Sequence, residues 1–350
     1  MNLIELLNLG IEKNASDIHI TVGMPPILRI NGELIALEKP VLMPDDTKKL
    51  VFEVLTEKMI VNLEKSGEID RSFSSKGIGR YRINAFKQRG SFGMVLRIIP
   101  LRIPSMDDLK LPAAIRELSS LRRGLLLVTG PTGSGKSTTL ASLIDKINHE
   151  RSCHILTLED PIEYLHKHNK SIVNQREIGS DSTSFTSALR SSLRQDPDVI
   201  LVGEMRDLET ISIALTAAET GHLVLSTLHT SGAAKTIDRI IDVFPPHQQQ
   251  QIRVQLSSVL QGVISQQLLP TKKNDGRIAA FEIMMITSAI RNLIREDKIH
   301  QIDTAIQTGA SFGMMTMDTS ILNLYKNGFI DKNTAIKQAI NESHIKKYII

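Results

Sequence analysis

Eight consecutive residues, Gly130, Pro131, Thr132, Gly133, Ser134, Gly135, Lys136 and Ser137, satisfy every fixed position of the phosphate-binding loop pattern G-x-x-x-x-G-K-[ST], with Thr138 directly after them. Glycines at 130, 133 and 135 let the backbone curl so that several amide N–H groups and a helix N-terminus face a β-phosphate. Lys136 would neutralise phosphate charge and the Ser137 hydroxyl would meet Mg²⁺, so the predicted ligand is a nucleoside triphosphate with its metal, ATP-Mg²⁺ chemistry. Two acidic stretches offer what hydrolysis needs besides. Asp198 to Asp207 is an apolar strand that ends at Gly203 and delivers Glu204, placed where a carboxylate holds Mg²⁺ through water. Glu159, Asp160 and Glu163 straddle Pro161, and Glu163 is a candidate general base for the attacking water, against the alternative of a solvated acidic turn.

Two more pairs carry open alternatives. His222 and His229 flank the apolar run Leu223 to Thr227, and with no third ligand at metal spacing they read either as γ-phosphate sensors or as hydrogen-bonded structural histidines. Arg82 and Arg97 sit on adjacent predicted strands and are either surface charge or arginine fingers that reach nucleotide held elsewhere.

These residues need a scaffold of alternating strands and helices. Leu125 to Thr129 is a buried-type strand entering the loop, and Leu140, Leu143, Ile144 and Ile147 recur at helical spacing after it. Beyond these come predicted strands at 155–158, 199–202 and 223–227 and a helix at 207–219, an α/β pattern with a largely parallel sheet. Residues 1–104 have another texture, a small α+β domain. It opens on a helix with Leu3, Ile4, Leu7 and Ile11 as its apolar stripe, and its clearest strand is Arg80 to Phe86, paired with Met94 to Ile99 through a turn containing Gly90, Ser91 and Gly93. Pro100, Pro104 and Pro112 mark a stiff connector, taken as a linker over 105–118, followed by the α/β core at 119–270 and a helical C-terminal extension at 271–350.

At 350 residues the chain has room for about two cores, each domain taking roughly 100–200 residues. With 41% hydrophobic and 23% charged residues it has a globular, not a disordered, composition. A net charge of +4 from 42 basic and 38 acidic residues is too mild an excess to argue for a nucleic-acid partner. The start lacks a signal peptide and no apolar run approaches the ~20 residues of a membrane span, so a cytoplasmic location with no transmembrane segment is expected. Cys153 is the sole cysteine, which excludes a multi-cysteine zinc site.

Four ordered segments, GPTGSGKS at 130–137, TLEDPIEY at 157–164, DPDVILVGEMRD at 196–207 and TGHLVLSTLHT at 220–230, resemble the Walker A, Asp, Walker B and His boxes of the secretion ATPase superfamily. SDIHI at 16–20, RYRINAF at 80–86 and AIRNLIRE at 289–296 extend the resemblance to the type IV pilus retraction ATPases, the PilT family of twitching motility proteins. That resemblance implies a PAS-like N-terminal domain, a RecA-like P-loop ATPase core and a homo-hexameric ring. The ring would hydrolyse ATP to drive pilus retraction at the cytoplasmic face of the inner membrane, with a pilus platform protein and a paralogous retraction ATPase as partners. It assigns the catalytic base to Glu163, the Mg²⁺-linked carboxylate to Glu204, the His box to His222 and His229, and the N-terminal arginines to Arg82 and Arg97. A small residue is expected where Asp297 stands.

In AIRNLIRE itself, Ile290, Leu293 and Ile294 form an inward stripe, while Arg291 and Arg295 project together one turn apart as a basic surface pair. Pilus assembly and type II secretion ATPases of the same superfamily are disfavoured because they carry a cysteine-rich zinc insert that one cysteine cannot build. The readings left in competition are a RecA-like nucleic-acid translocase and a nucleotide switch that binds partners without hydrolysis.

Overall fold

The computed structural model describes residues 2–30, 32–75, 77–100, 102–273 and 276–349. The chain divides into two compact units, Met1–Arg102 with Pro161–Leu165, and Ile103–Asp160 with His166–Ile350.

The first unit runs α1 (Leu3–Glu12), β1 (Asp17–Ile20), β2 (Ile27–Ile30), β3 (Glu33–Ala36), α2 (Pro44–Glu53), α3 (Glu57–Ser66), β4 (Glu68–Ser75), β5 (Gly79–Gln88) and β6 (Ser91–Ile99). The strands form one antiparallel sheet in the order β3-β2-β1-β6-β5-β4. Tyr81, Ile83 and Ala85 of β5 alternate into a core shared with Ile18, Met94 and Leu96. The β5–β6 turn is tighter than expected: Arg89 and Gly90, both at positive φ, complete it, because Gln88 already pairs with Ser91 while Gly93 lies opposite Phe86 inside the strand. In α1 the buried stripe is Leu3, Leu6, Leu7 and Gly10, whereas Ile4 and Ile11 are exposed. Gly10 is chosen by proximity, since a Cβ there would stand 2.9 Å from the Ile18 side chain.

The second unit contains α4 (Ala113–Glu117), β7 (Gly124–Thr129), α5 (Lys136–Glu150), β8 (His154–Glu159), β9 (Ile172–Glu177), α6 (Phe185–Ser192), β10 (Val199–Val202), α7 (Leu208–Glu219), β11 (Leu223–Leu228), α8 (Ala233–Asp242), α9 (Pro246–Val259), β12 (Leu260–Pro270) and β13 (Arg277–Met285), then α10 (Ser288–Arg295), α11 (Ile302–Thr308), α12 (Met317–Lys326), α13 (Lys332–Gln338) and α14 (Glu342–Lys346). Its sheet has the order β13-β12-β7-β11-β10-β8-β9, parallel throughout except for the antiparallel β12–β13 hairpin. The central strands read as unbroken apolar runs because helices cover both faces.

Two expectations are corrected here. The 105–118 segment does not behave as a linker: Met106, Leu111, Ile115 and Leu118 are buried in the core under β7 and α5. The 271–350 segment is not wholly helical, for β13 adds the antiparallel edge strand and its Ala280, Phe281, Ile283 and Met284 are buried. Among the described residues no helix is long and apolar enough to cross a membrane.

The candidate nucleotide site

β7 delivers the chain to the phosphate loop at the C-terminal edge of the parallel sheet, and α5 takes it away, with Gly135 in the left-handed conformation as the residue before the helix. Gly130 and Gly135 are required by space as well as by dihedral. A Cβ on Gly130, at φ +141°, would lie 2.2 Å from the Gln266 carbonyl oxygen of β12, and one on Gly135 would lie 2.8 Å from the Gln266 side-chain amide. Gly133, also at positive φ, faces open space. The loop fits an anion on two further grounds. The Ser134 hydroxyl is buried and has no hydrogen-bond partner among the described residues, and the Lys136 ammonium folds back onto the Gly130 and Pro131 carbonyls at 2.9 and 3.0 Å. Those carbonyls are the partners a phosphate would displace. Pro131 and Thr132 are exposed at the loop tip, and Ser137 and Thr138 occupy the first turn of α5.

Glu204 and His229 arrive at the same edge, after β10 and β11. Lys136 Nζ is 3.5 Å from His229 Nδ1, and His229 Nε2 is 3.4 Å from Glu204 Oε2, while Arg206 Nε donates to Glu204 Oε1 at 2.8 Å. An ammonium is a donor only, so Nδ1 accepts and the imidazole proton sits on Nε2, facing Glu204. The result is a chain of contacts from the loop lysine through an imidazole to a carboxylate. Donors for a divalent ion are the Ser137 hydroxyl and the Glu204 carboxylate. An oxygen-only set of so few groups suits Mg²⁺, which takes its remaining ligands from phosphate and water. Among the described residues no cluster of three or more His, Cys, Asp or Glu could hold a metal. Beside Gly135 and Thr138 opens a cavity of about 620 Å³, walled by Leu111, Leu268, Ile278 and Phe329 and edged by Lys272, Lys273 and Arg277, a size and character suited to a nucleoside.

His222 does not join this group. It precedes β11 while His229 follows it, and the six residues of that strand span roughly 20 Å. Its Nδ1–H donates to the Ala217 carbonyl at 2.9 Å, closing the C-terminus of α7. Within one chain it fills the structural role left open above.

Arg82 and Arg97 face one another across β5 and β6 in the N-terminal unit, and each is held by an aspartate: Arg82 by Asp70 at 2.7 Å and Arg97 by Asp17 at 3.0 Å. Glu163 is exposed and belongs to the five residues Pro161–Leu165 that group with that unit. In AIRNLIRE, Ile290 and Ile294 are buried and Leu293 packs beside them. Arg291 is not part of a free basic pair, for its guanidinium donates to the Ser257 and Ser258 carbonyls at the end of α9, leaving Arg295 outermost. Asp297 has a positive φ of 59° and pairs with Arg253, a position that rewards a residue tolerant of the left-handed region more than it rewards smallness.

Residues without any motif also shape the site. Gln266 is buried and accepts from Thr139 Oγ1 at 2.7 Å, bracing α5 against β12; it stands in the polar stretch Ser265-Gln266-Gln267, which carries no sequence signal for this role. Next to the acidic turn, burial pushes the His166 imidazole down to about 4. Because the folded value lies below the ordinary 6.5, this stabilisation is complete above that pH and drains away as pH falls toward 4. Denaturant titrations at pH 7 and pH 5 are expected to show wild type losing roughly 2 kcal/mol more than His166→Asn over that step; equal losses would remove the burial account.

A family model described as type II/IV secretion system protein matches residues 95–326. The type IV pilus retraction ATPase PilT of Pseudomonas aeruginosa is 49% identical over 97% of this chain and 98% of its own length. A twitching motility protein of Neisseria gonorrhoeae is 48% identical over 90% of this chain and 84% of its own length. Among solved structures, the pilus retraction motor PilT with bound ADP superposes with a TM-score of 0.93 at 50% identity, covering 99% of both chains.

Proposed function

This chain belongs to the type II/IV secretion system protein family and, within it, to the pilus retraction ATPases, and from that premise we propose that it is the ATP-hydrolysing motor of type IV pilus retraction and twitching motility. The observation that carries the proposal is the intact phosphate loop joined through Lys136 and His229 to Glu204, in a chain that matches an ADP-bound retraction motor end to end.

The amides around residues 132–137 and the α5 N-terminus receive the β-phosphate, and Lys136 leaves its loop carbonyls for the β- and γ-phosphate oxygens. Ser137 and Glu204 are the residues that would hold Mg²⁺, which would supply charge neutralisation for the phosphates. Glu163 orients the attacking water and takes its proton onto a carboxylate oxygen. His229 registers the γ-phosphate through its contact with Lys136, and so couples phosphate loss to Glu204 and Arg206. Arg82 and Arg97 act as fingers toward nucleotide once released from Asp70 and Asp17. The working assembly is a homo-hexamer at the cytoplasmic face of the inner membrane. It acts on a pilus platform protein beside a paralogous motor, without nucleic acid.

In cells lacking their own retraction motor, the wild-type chain is expected to restore pilus retraction and the Lys136→Ala chain is not; failure of wild type overturns the biological role. With purified protein, Glu163→Gln is expected to lower turnover about 100-fold or more with nucleotide affinity retained. Wild-type turnover by Glu163→Gln and by Glu204→Gln would instead support a non-hydrolysing switch, and strong salt-sensitive stimulation by DNA would support a translocase.

A further inference from the structure

Glu163 lies in the connection between β8 and β9, and the two ends of the excursion that carries it are fixed by one side chain. The chain leaves the ATPase unit after Asp160 and rejoins it at His166. Gln175 stands in the middle of β9, in register with Thr157 of β8. Its amide Nε2–H donates to Glu159 Oε1 at 3.2 Å, on the outgoing side, and its Oε1 accepts the His166 backbone N–H at 2.8 Å, on the returning side. Glu159 is itself set by Thr157 Oγ1, which donates to the same Oε1 at 2.6 Å. The desolvated His166 ring marks the returning end as a dry environment, where such bonds are stronger than in water.

We infer that Gln175 is the positioning residue for Glu163, the clamp that closes the base of its loop; this rests on the assignment of Glu163 as general base. A primary amide is the group that can donate toward Glu159 and accept from His166 at once. A carboxylate at 175 would oppose the Glu159 carboxylate, and leucine would remove both side-chain bonds. With the returning end no longer tied to Gln175, Glu163 samples more positions relative to the attacking water, and displacement on the order of 1 Å is worth about 100-fold in rate.

The test uses the full-length protein with Mg²⁺-ATP, reading kcat by phosphate release, affinity with a fluorescent ATP analogue, and thermal melting. Gln175→Leu and Gln175→Glu are each expected to lower kcat about 30-fold with affinity changed less than about twofold. The exchange Glu159→Gln with Gln175→Glu re-creates the amide–carboxylate pair in reverse, leaves an acceptor for the His166 N–H, and is expected to return kcat to within about threefold of wild type. Glu163→Gln is run in parallel. If it is inactive while Gln175→Leu turns over like wild type, the clamp is wrong and the base assignment stands. If Glu163→Gln turns over normally, the base assignment falls and the clamp with it. A Gln175→Leu defect that appears equally in affinity and melting, or an exchange variant that melts like wild type yet stays slow, reduces Gln175 to a structural role and overturns the inference.

Discussion

Replacing Lys136 with alanine is expected to lower ATP turnover roughly 1,000-fold or more while shifting the melting temperature by only a few degrees. The ammonium is buried at the loop, and its bonds go to the carbonyls of Gly130 and Pro131, with His229 Nδ1 next to it. These partners serve the fold little: Pro131 is exposed at the loop tip, and the buried Gly130 carbonyl loses one hydrogen bond, worth about 1–3 kcal/mol. For a triphosphate the loss is of another order, because a full positive charge in a partly desolvated site disappears from the position where charge develops on the transferred phosphoryl group. Phosphate release under saturating Mg²⁺-ATP measures the first effect and differential scanning fluorimetry the second. Turnover within tenfold of wild type would separate Lys136 from the chemistry.

Gly130→Ala is the complementary case, in which stability and binding fall together. The new methyl would sit 2.2 Å from the Gln266 carbonyl and 2.7 Å from the Ser134 hydroxyl, at a φ of +141° that alanine avoids. The Gln266 carbonyl adjoins the pairing of Thr129 with Ser265, so relief from it requires movement of the β7–β12 ladder. About 3 kcal/mol of destabilisation is expected, a fall in melting temperature on the order of 10 °C, together with loss of detectable nucleotide binding. Gly133→Ala is the control: its methyl meets nothing within 4 Å, so only backbone strain of about 1 kcal/mol remains. Equal melting of the two variants would show that the contact with Gln266 does not restrict residue 130.

The ATPase sheet was legible in the sequence where burial on both faces writes continuous apolar runs, as in Leu125 to Val128, Val199 to Val202 and Leu223 to Leu225. It was illegible at β12 and β13. Gln261, Gly262, Ser265, Gln266 and Gln267 interrupt β12, and the strand exists because β7 offers it a ladder. In α1, helical spacing admitted Ile4 and Ile11 to the stripe, and the choice fell to Leu6 and Gly10 through contacts that no local pattern contains. The phosphate loop was readable because its geometry demands fixed residues at fixed spacing. Gln175 and Gln266 were not, since a neutral amide acquires a role from what the fold brings to it. His222 and His229 look alike along the chain, and only the direction of the intervening strand separates them.

That Pro161–Leu165 groups with residues 1–102 has a consequence for modularity. A fragment beginning at Ile103 would still contain those five residues, including Ile162 with only 4% of its surface exposed, but would lack the unit with which they group. Grafts between homologous motors that exchange everything before residue 103 would therefore mismatch a short stretch located sixty residues downstream. Successful chimaeras should transplant the two pieces jointly.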